Sequence, residues 1–139
     1  MPAKDRVHDL VKRCIIKDGW NITHDPFTIS FGVRKVYADL GAEKLLIAAE
    51  KASQKIVVEI KSFASNSIIS ELEKAIGQYE IYKSWLTRIE PERVLYLALD
   101  HEAYIELFTD ISGQVLLQDY QLKLITFNSE KEVIEQWIK

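Results

Sequence analysis

The sequence predicts an α/β fold with a central mixed sheet flanked by helices, and three consecutive stretches predict it. KIVVEIKS at 55–62 alternates with period 2, SNSIISELEKAIGQYEIYKSWL at 65–86 carries apolar residues at helical spacing, and VLYLALD at 94–100 is a short apolar run. A strand, an amphipathic helix and a strand buried on both faces make a crossover unit, which feeds two parallel strands and is right-handed.

The other elements follow in chain order. Val7, Leu10, Val11, Cys14 and Ile15 form one apolar stripe, predicting a helix over about 4–17 that Gly19 ends. Trp20–His24 and Phe27–Phe31 read as short extended pieces split by Pro26, and Gly32 marks a turn before VRKVYADL, a strand or edge piece. Leu45–Glu50 and Lys55–Ser62 read as an antiparallel hairpin joined by KASQ. In the long helix Ser70 and Glu73 offer a capping box, and Gly77 offers a place where helix and sheet approach. Past Asp100, AYIELF reads as a short helix, Gly113 as an interruption and LKLITF as a strand. Ser129 with Glu132, followed by Val133, Ile134, Trp137 and Ile138, predicts a terminal helix.

Size and composition bound the possibilities. A chain of 139 residues with 47% hydrophobic and 28% charged residues can enclose one substantial core, and a single domain over 1–139 is expected. No apolar run reaches the ~20 residues of a membrane helix, and MPAKDRVHDLVKR lacks the apolar stretch of a signal peptide, so a cytoplasmic protein without a membrane role is expected. One cysteine, Cys14, excludes an internal disulfide, and His8, His24 and His101 have no zinc-type spacing with it. The net charge is −3, yet residues 1–61 hold 11 Lys/Arg against 8 Asp/Glu. An acidic whole does not grip DNA strongly by counterion release, so contact with DNA calls for a local patch, an oligomer or a basic partner. Lys12, Arg13, Lys17, Arg34, Lys35 and Lys55 are the candidates for that patch.

The chemistry concentrates on the strand at 55–62. Its alternation puts Val57, Glu59 and Lys61 on one face. Phosphodiester hydrolysis uses a hard cation to gather phosphate and water, and Asp39, Glu59 and the Ile60 carbonyl are oxygen donors suited to magnesium. Lys61 would orient the water or stabilise the charge developing on phosphorus. The same triplet also reads as a same-face ion pair at a wet sheet surface. With a tight turn at 51–54, Glu59 lies opposite about Leu46, and Asp39 reaches it only through a bend at Gly41; Glu43 and Glu50 are the rival acids. Asp5, His8 and Asp9 flank the apolar stripe of the first helix, from which a carboxylate or imidazole could reach the site.

The order of helix, Asp39, Glu59-Ile60-Lys61 in a strand, then a helix with Gln78 and Tyr82 resembles the PD-(D/E)xK nuclease superfamily, with Ala38 where that motif has proline. More specifically, VHDLVKRCIIKDGW, DLGAEKLLIAAEK, VVEIKSF and AIGQYEIYKSWL resemble the XisH family, the fdxN element excision controlling factors of cyanobacteria. The resemblance covers nearly the entire chain. It implies a restriction-endonuclease-like αβββαβ core, a role in programmed DNA rearrangement, and Gln78 as a further catalytic-site residue that positions phosphate or water. It also implies DNA, an XisI-type protein and a site-specific recombinase as partners. The alternative is a catalytically inactive module of the same fold that recruits the recombinase or the XisI-type protein. A homo-oligomer built on the apolar terminal helix is the third reading.

Overall fold

The computed structural model describes residues 3–45, 53–63 and 67–139. Helix α1 (Ala3–Lys17) leads into strands β1 (Asn21–His24), β2 (Phe27–Phe31), β3 (Arg34–Ala38), β4 (Leu40–Leu45) and β5 (Ser53–Ile60). Then come α2 (Ile68–Ile89), β6 (Arg93–Asp100), α3 (His101–Phe108), α4 (Ile111–Asp119), β7 (Leu124–Asn128) and β8 (Val133–Ile138). Six strands form one sheet in the order β1-β4-β5-β6-β7-β8, while β2 and β3 form a separate hairpin. The pairs β5-β6 and β6-β7 are parallel and the rest antiparallel, so the sheet is mixed. The expected αβββαβ order runs α1, β1, β4, β5, α2, β6, with the β2-β3 hairpin inserted after its first strand.

The two sheet faces are packed differently. Val11, Cys14 and Ile15 of α1 cover Leu40, Ala42, Ile56, Val58, Tyr96 and Ala98. On the other face Leu72, Ala75, Tyr79, Tyr82 and Leu86 of α2, with Phe27 and Ile29 of β2, cover Val57, Leu95, Leu97 and Leu99. Both faces are thus covered over Ile56–Glu59 of β5 and Leu95–Leu99 of β6, which is why β6 reads as an apolar run. Cys14 is buried as a small apolar group among these side chains.

Several expectations are corrected. The strand before the KASQ link is 40–45, pairing Leu40 with Val58 through Leu45 with Ser53; the expected strand 45–50 lies, beyond Leu45, outside the described residues. Gly, Ala, Glu and Lys are poor strand formers, and LGAEK becomes a strand because Gly41 and Ala42 fit under the packed layers. A Cβ at Gly41 would stand 2.8 Å from Phe27 Cδ2 and 3.0 Å from His24 Nδ1, so this glycine makes room rather than a bend.

The cap of α2 is Ser67, which accepts from the Ser70 N–H, rather than Ser70 itself. Ser67→Ala should cost about 1 kcal/mol, read as a lower urea midpoint at unchanged slope. Gly77 is exposed, and a Cβ there would meet nothing within 4 Å, so it does not mediate the approach of helix to sheet. Gly113 sits inside α4, a helix the sequence did not suggest.

The chain end is the plainest reversal: Val133–Ile138 is strand β8, antiparallel to β7. Phe127 pairs with Ile134 but Thr126 with Gln136, so Glu135 is an extra residue that switches the side-chain parity. Ile134 and Trp137 thereby reach the same face, against the α1 layer, and imitate helical i, i+3 spacing. Ser129 bonds Asp100 rather than capping a helix, and Asn128 Oδ1 accepts from the Glu130 and Lys131 N–H groups to form the turn. The proposed oligomer through a terminal helix loses its motive with that helix.

Candidate functional site

The β4-β5 register brings the site together. Gly41 pairs with Val57 and Leu40 with Val58, so one further step sets Asp39 level with Glu59. Alternation puts Glu59 on the face of Val57, toward α2, while the Asp39 carboxylate lies against the Ile60 backbone and within reach of α1. Asp39 is the bend at which the chain leaves the hairpin strand β3 and enters β4. Its Oδ2 accepts the Ile60 N–H at 2.7 Å, so the side chain continues the ladder where β4 has not yet begun. Lys61 donates its N–H to the Ala98 carbonyl at 2.9 Å, which extends the pairing with β6 and carries the Lys61 side chain onto the face of Glu59.

Glu59 is 7% exposed, and Gln78 of α2 donates to its Oε2 at 3.1 Å. The same amide nitrogen donates to Tyr82 Oη at 2.9 Å, one helical turn on. Burial pushes the Tyr82 hydroxyl above its ordinary value; Gln78 opposes the rise, and the charges of Glu59 and Asp39 add to it.

From α1, His8 Nδ1 stands 3.8 Å from Asp39 Oδ1, while its Nε2 is 2.8 Å from Asp25 Oδ1. Lys12 donates to the other oxygen of Asp25 at 2.8 Å. Sequence reading included His8 among three candidates on this helix; Asp9 has no described contact with the site, and the side chain of Asp5 lies outside the described ones. Asp25 was missed, because a lone aspartate before a proline looks like an ordinary turn residue. Burial acts to raise its pKa, but hydrogen bonds from Lys12 and His8 outweigh it and hold the carboxyl below 3.8. Its stabilising contribution is thus complete above the unfolded value near 3.8 and fades as pH falls through the lowered folded value. Asp25→Asn should melt earlier than the parent at neutral pH, and the two melting curves should converge in stronger acid.

Glu43 is not the site acid. It lies four residues down β4, paired with Arg93 at 3.3 Å and Lys55 at 4.0 Å. Glu50 lies outside the described residues. The expected basic patch is divided: Lys12 is held by Asp25, Arg13 by Glu132 and Lys55 by Glu43, leaving Lys17 at the end of α1 and the exposed Arg34 and Lys35 on the hairpin.

Asp39, Glu59 and the Ile60 carbonyl are a hard-oxygen set of the kind magnesium accepts. The Asp39 oxygen that takes the Ile60 N–H keeps further acceptor capacity, as does the one toward His8. Among the described residues no three His, Cys, Asp or Glu side chains gather as a metal cluster, so peptide carbonyl and water would complete the shell. The donor types fit a cation that keeps several waters.

Among the described residues no helix is long and apolar enough to cross a membrane. The family model for XisH protein matches residues 1–135. The chain is 40% identical to an XisH family protein from Nostoc punctiforme PCC 73102, over 95% of this chain and 98% of that one, with a TM-score of 0.85. It is likewise 40% identical to a fdxN element excision controlling factor protein from Anabaena variabilis, over 97% and 99% of the two chains, with a TM-score of 0.87. No curated protein matches significantly. With its family match and its architecture in place, this chain belongs to the XisH family.

Proposed function

We propose that the chain is an XisH-type controlling factor in programmed excision of a DNA element, and that Asp39, Glu59, Lys61 and Gln78 form a magnesium-dependent phosphodiester-cleaving site. One observation carries the reading: the register that levels Asp39 with Glu59, closed by the 2.7 Å bond from the Ile60 N–H to Asp39. Asp39, Glu59 and the Ile60 carbonyl hold the cation. When bound, magnesium supplies a site where phosphate and water meet and the water's pKa falls. Gln78 fixes the Glu59 carboxylate from α2, and the Lys61 ammonium faces the phosphate oxygens as charge builds on them. Arg34, Lys35 and Lys17 guide the DNA backbone.

A second reading has an observation behind it. Glu59 is nearly enclosed and already accepts from Gln78, an arrangement that also suits an inert wall in a module recruiting a recombinase or an XisI-type protein. Incubating the purified protein with branched, nicked and linear DNA, with magnesium or with chelator, separates the two. Cleavage that requires magnesium supports the hydrolytic site. Intact DNA throughout, together with stable co-purification of an XisI-type protein, would replace it by the module.

A further inference from the structure

A cleft lies at the end of the sheet away from the acid pair. Gln54 is five residues before Glu59 on β5, roughly 17 Å away along the strand, and its side chain points to the opposite face, toward α1. The cleft has a volume of ≈ 380 Å³, inside the range of about 300–1,000 Å³ for small-molecule sites. Trp20, Tyr96 and Trp137 line it. The rings of Trp20 and Trp137 are 5.6 Å apart at 30°, and Tyr96 meets Trp137 edge-on at 5.0 Å.

The polar groups narrow the guest. Lys44, register partner of Gln54, holds its ammonium 5.8 Å over the Trp20 ring and donates to the Asp18 carbonyl at 2.8 Å. The protein's own lysine thus occupies the cation position over Trp20, which disfavours a cationic guest. The Asp18 carboxylate is engaged by the Trp20 indole N–H at 3.1 Å. Gln54 offers both a donor and an acceptor, matching the edge of a heteroaromatic base. Lys44 and Lys139 line the cleft as cations, with Glu92 as a further carboxylate, a balance that accommodates a single phosphate rather than a polyphosphate. Lys55 is paired with Glu43 and takes no part.

We propose that this cleft binds one unpaired nucleobase with its phosphate, delivered either as a free mononucleotide or as part of a single DNA strand. The base lies against Trp137, the one ring of the three that is not buried, with its edge on Gln54, and the phosphate sits between Lys44 and Lys139. This site is separate from the acid pair and does not depend on hydrolysis there.

The three tryptophans permit a direct test in the full chain, because Trp85 stacks on Phe31 away from the cleft. Titrating adenosine monophosphate should shift the indole N–H signals of Trp20 and Trp137 saturably and leave Trp85 in place, whereas ribose 5-phosphate should shift none. Val94, 36% exposed on the cleft wall, provides a blocking variant: Val94→Tyr should weaken binding by at least about tenfold, as should Gln54→Ala, while Lys131→Ala, in the exposed turn before β8, should not. Tighter binding of oligodeoxyadenylate than of the mononucleotide identifies a DNA strand as the source, and the reverse identifies the free nucleotide. No saturable shift with either, an equal response to ribose 5-phosphate, or binding unchanged in both cleft variants overturns the proposal.

Discussion

Lys61→Ala is expected to reduce magnesium-dependent DNA cleavage by about 100- to 1,000-fold while leaving the fold intact, the loss typical of removing one preorganised group aimed at developing charge. The fold should survive because Lys61 is half-buried at the end of β5, and its strand pairing runs through its backbone N–H to Ala98, which alanine retains. Glu59→Gln should lose as much activity for another reason: the shape persists and the charge that holds the cation does not. Lys131→Ala, in the exposed turn before β8, should cut at the parent rate. Single-turnover cleavage assays on the three variants check this, and equal rates in all of them would assign the cutting to a contaminant.

Gly113→Ala should be the most damaging small change in the chain. A Cβ there would stand 2.1 Å from the Leu107 carbonyl oxygen and 2.4 Å from Phe108 Cα, and both are backbone atoms that cannot swing aside. Phe108 is fully buried, so separating α3 from α4 would disturb the core beneath them. A loss of about 3 kcal/mol or more is expected, at the upper end of overpacking costs. Gly77→Ala should have the opposite sign. A Cβ at this exposed position in α2 meets nothing, and alanine should stabilise the helix by about 0.5–1 kcal/mol. Urea unfolding of the two variants side by side checks both signs; a tolerated Gly113→Ala would mean that α3 and α4 are not packed as described.

How much of this the sequence disclosed depended on whether local pattern and packing agreed. The α2 crossover was legible because Val57, Leu95 and Leu97 are apolar in strands and Leu72, Tyr79 and Leu86 are apolar at helical spacing. β4 was not, since Gly41 owes its place to Phe27 lying over one face of the sheet and Ala42 to α1 packed on the other, contacts no local window contains. β8 was misread because the bulge at Glu135 gave a strand the apolar spacing of a helix. α4 was hidden by Gly113, whose close contact with α3 looks in sequence like a break.

At the site, Glu59 and Lys61 could be placed on one face from period 2 alone. Asp39 comes level with Glu59, but not through the bend expected at Gly41: the chain turns at Asp39 itself, and the register does the rest. Gln78 donates to Glu59, a contact that neither periodicity nor the resemblance gave, and Gly77 beside it has no part in the approach of helix to sheet. The link from Asp25 through His8 to Asp39 joins three elements and leaves no signature in any one of them.

Manganese is the sharpest probe of the proposed cation site, since it is visible by anomalous scattering and accepts the same hard oxygens as magnesium. Crystals soaked in manganese should give one strong peak bonded to a carboxylate oxygen of Asp39, one of Glu59 and the Ile60 carbonyl, at about 2.0–2.2 Å. A peak elsewhere, with Asp39 and Glu59 keeping their bonds to the Ile60 amide and Gln78, would contradict it.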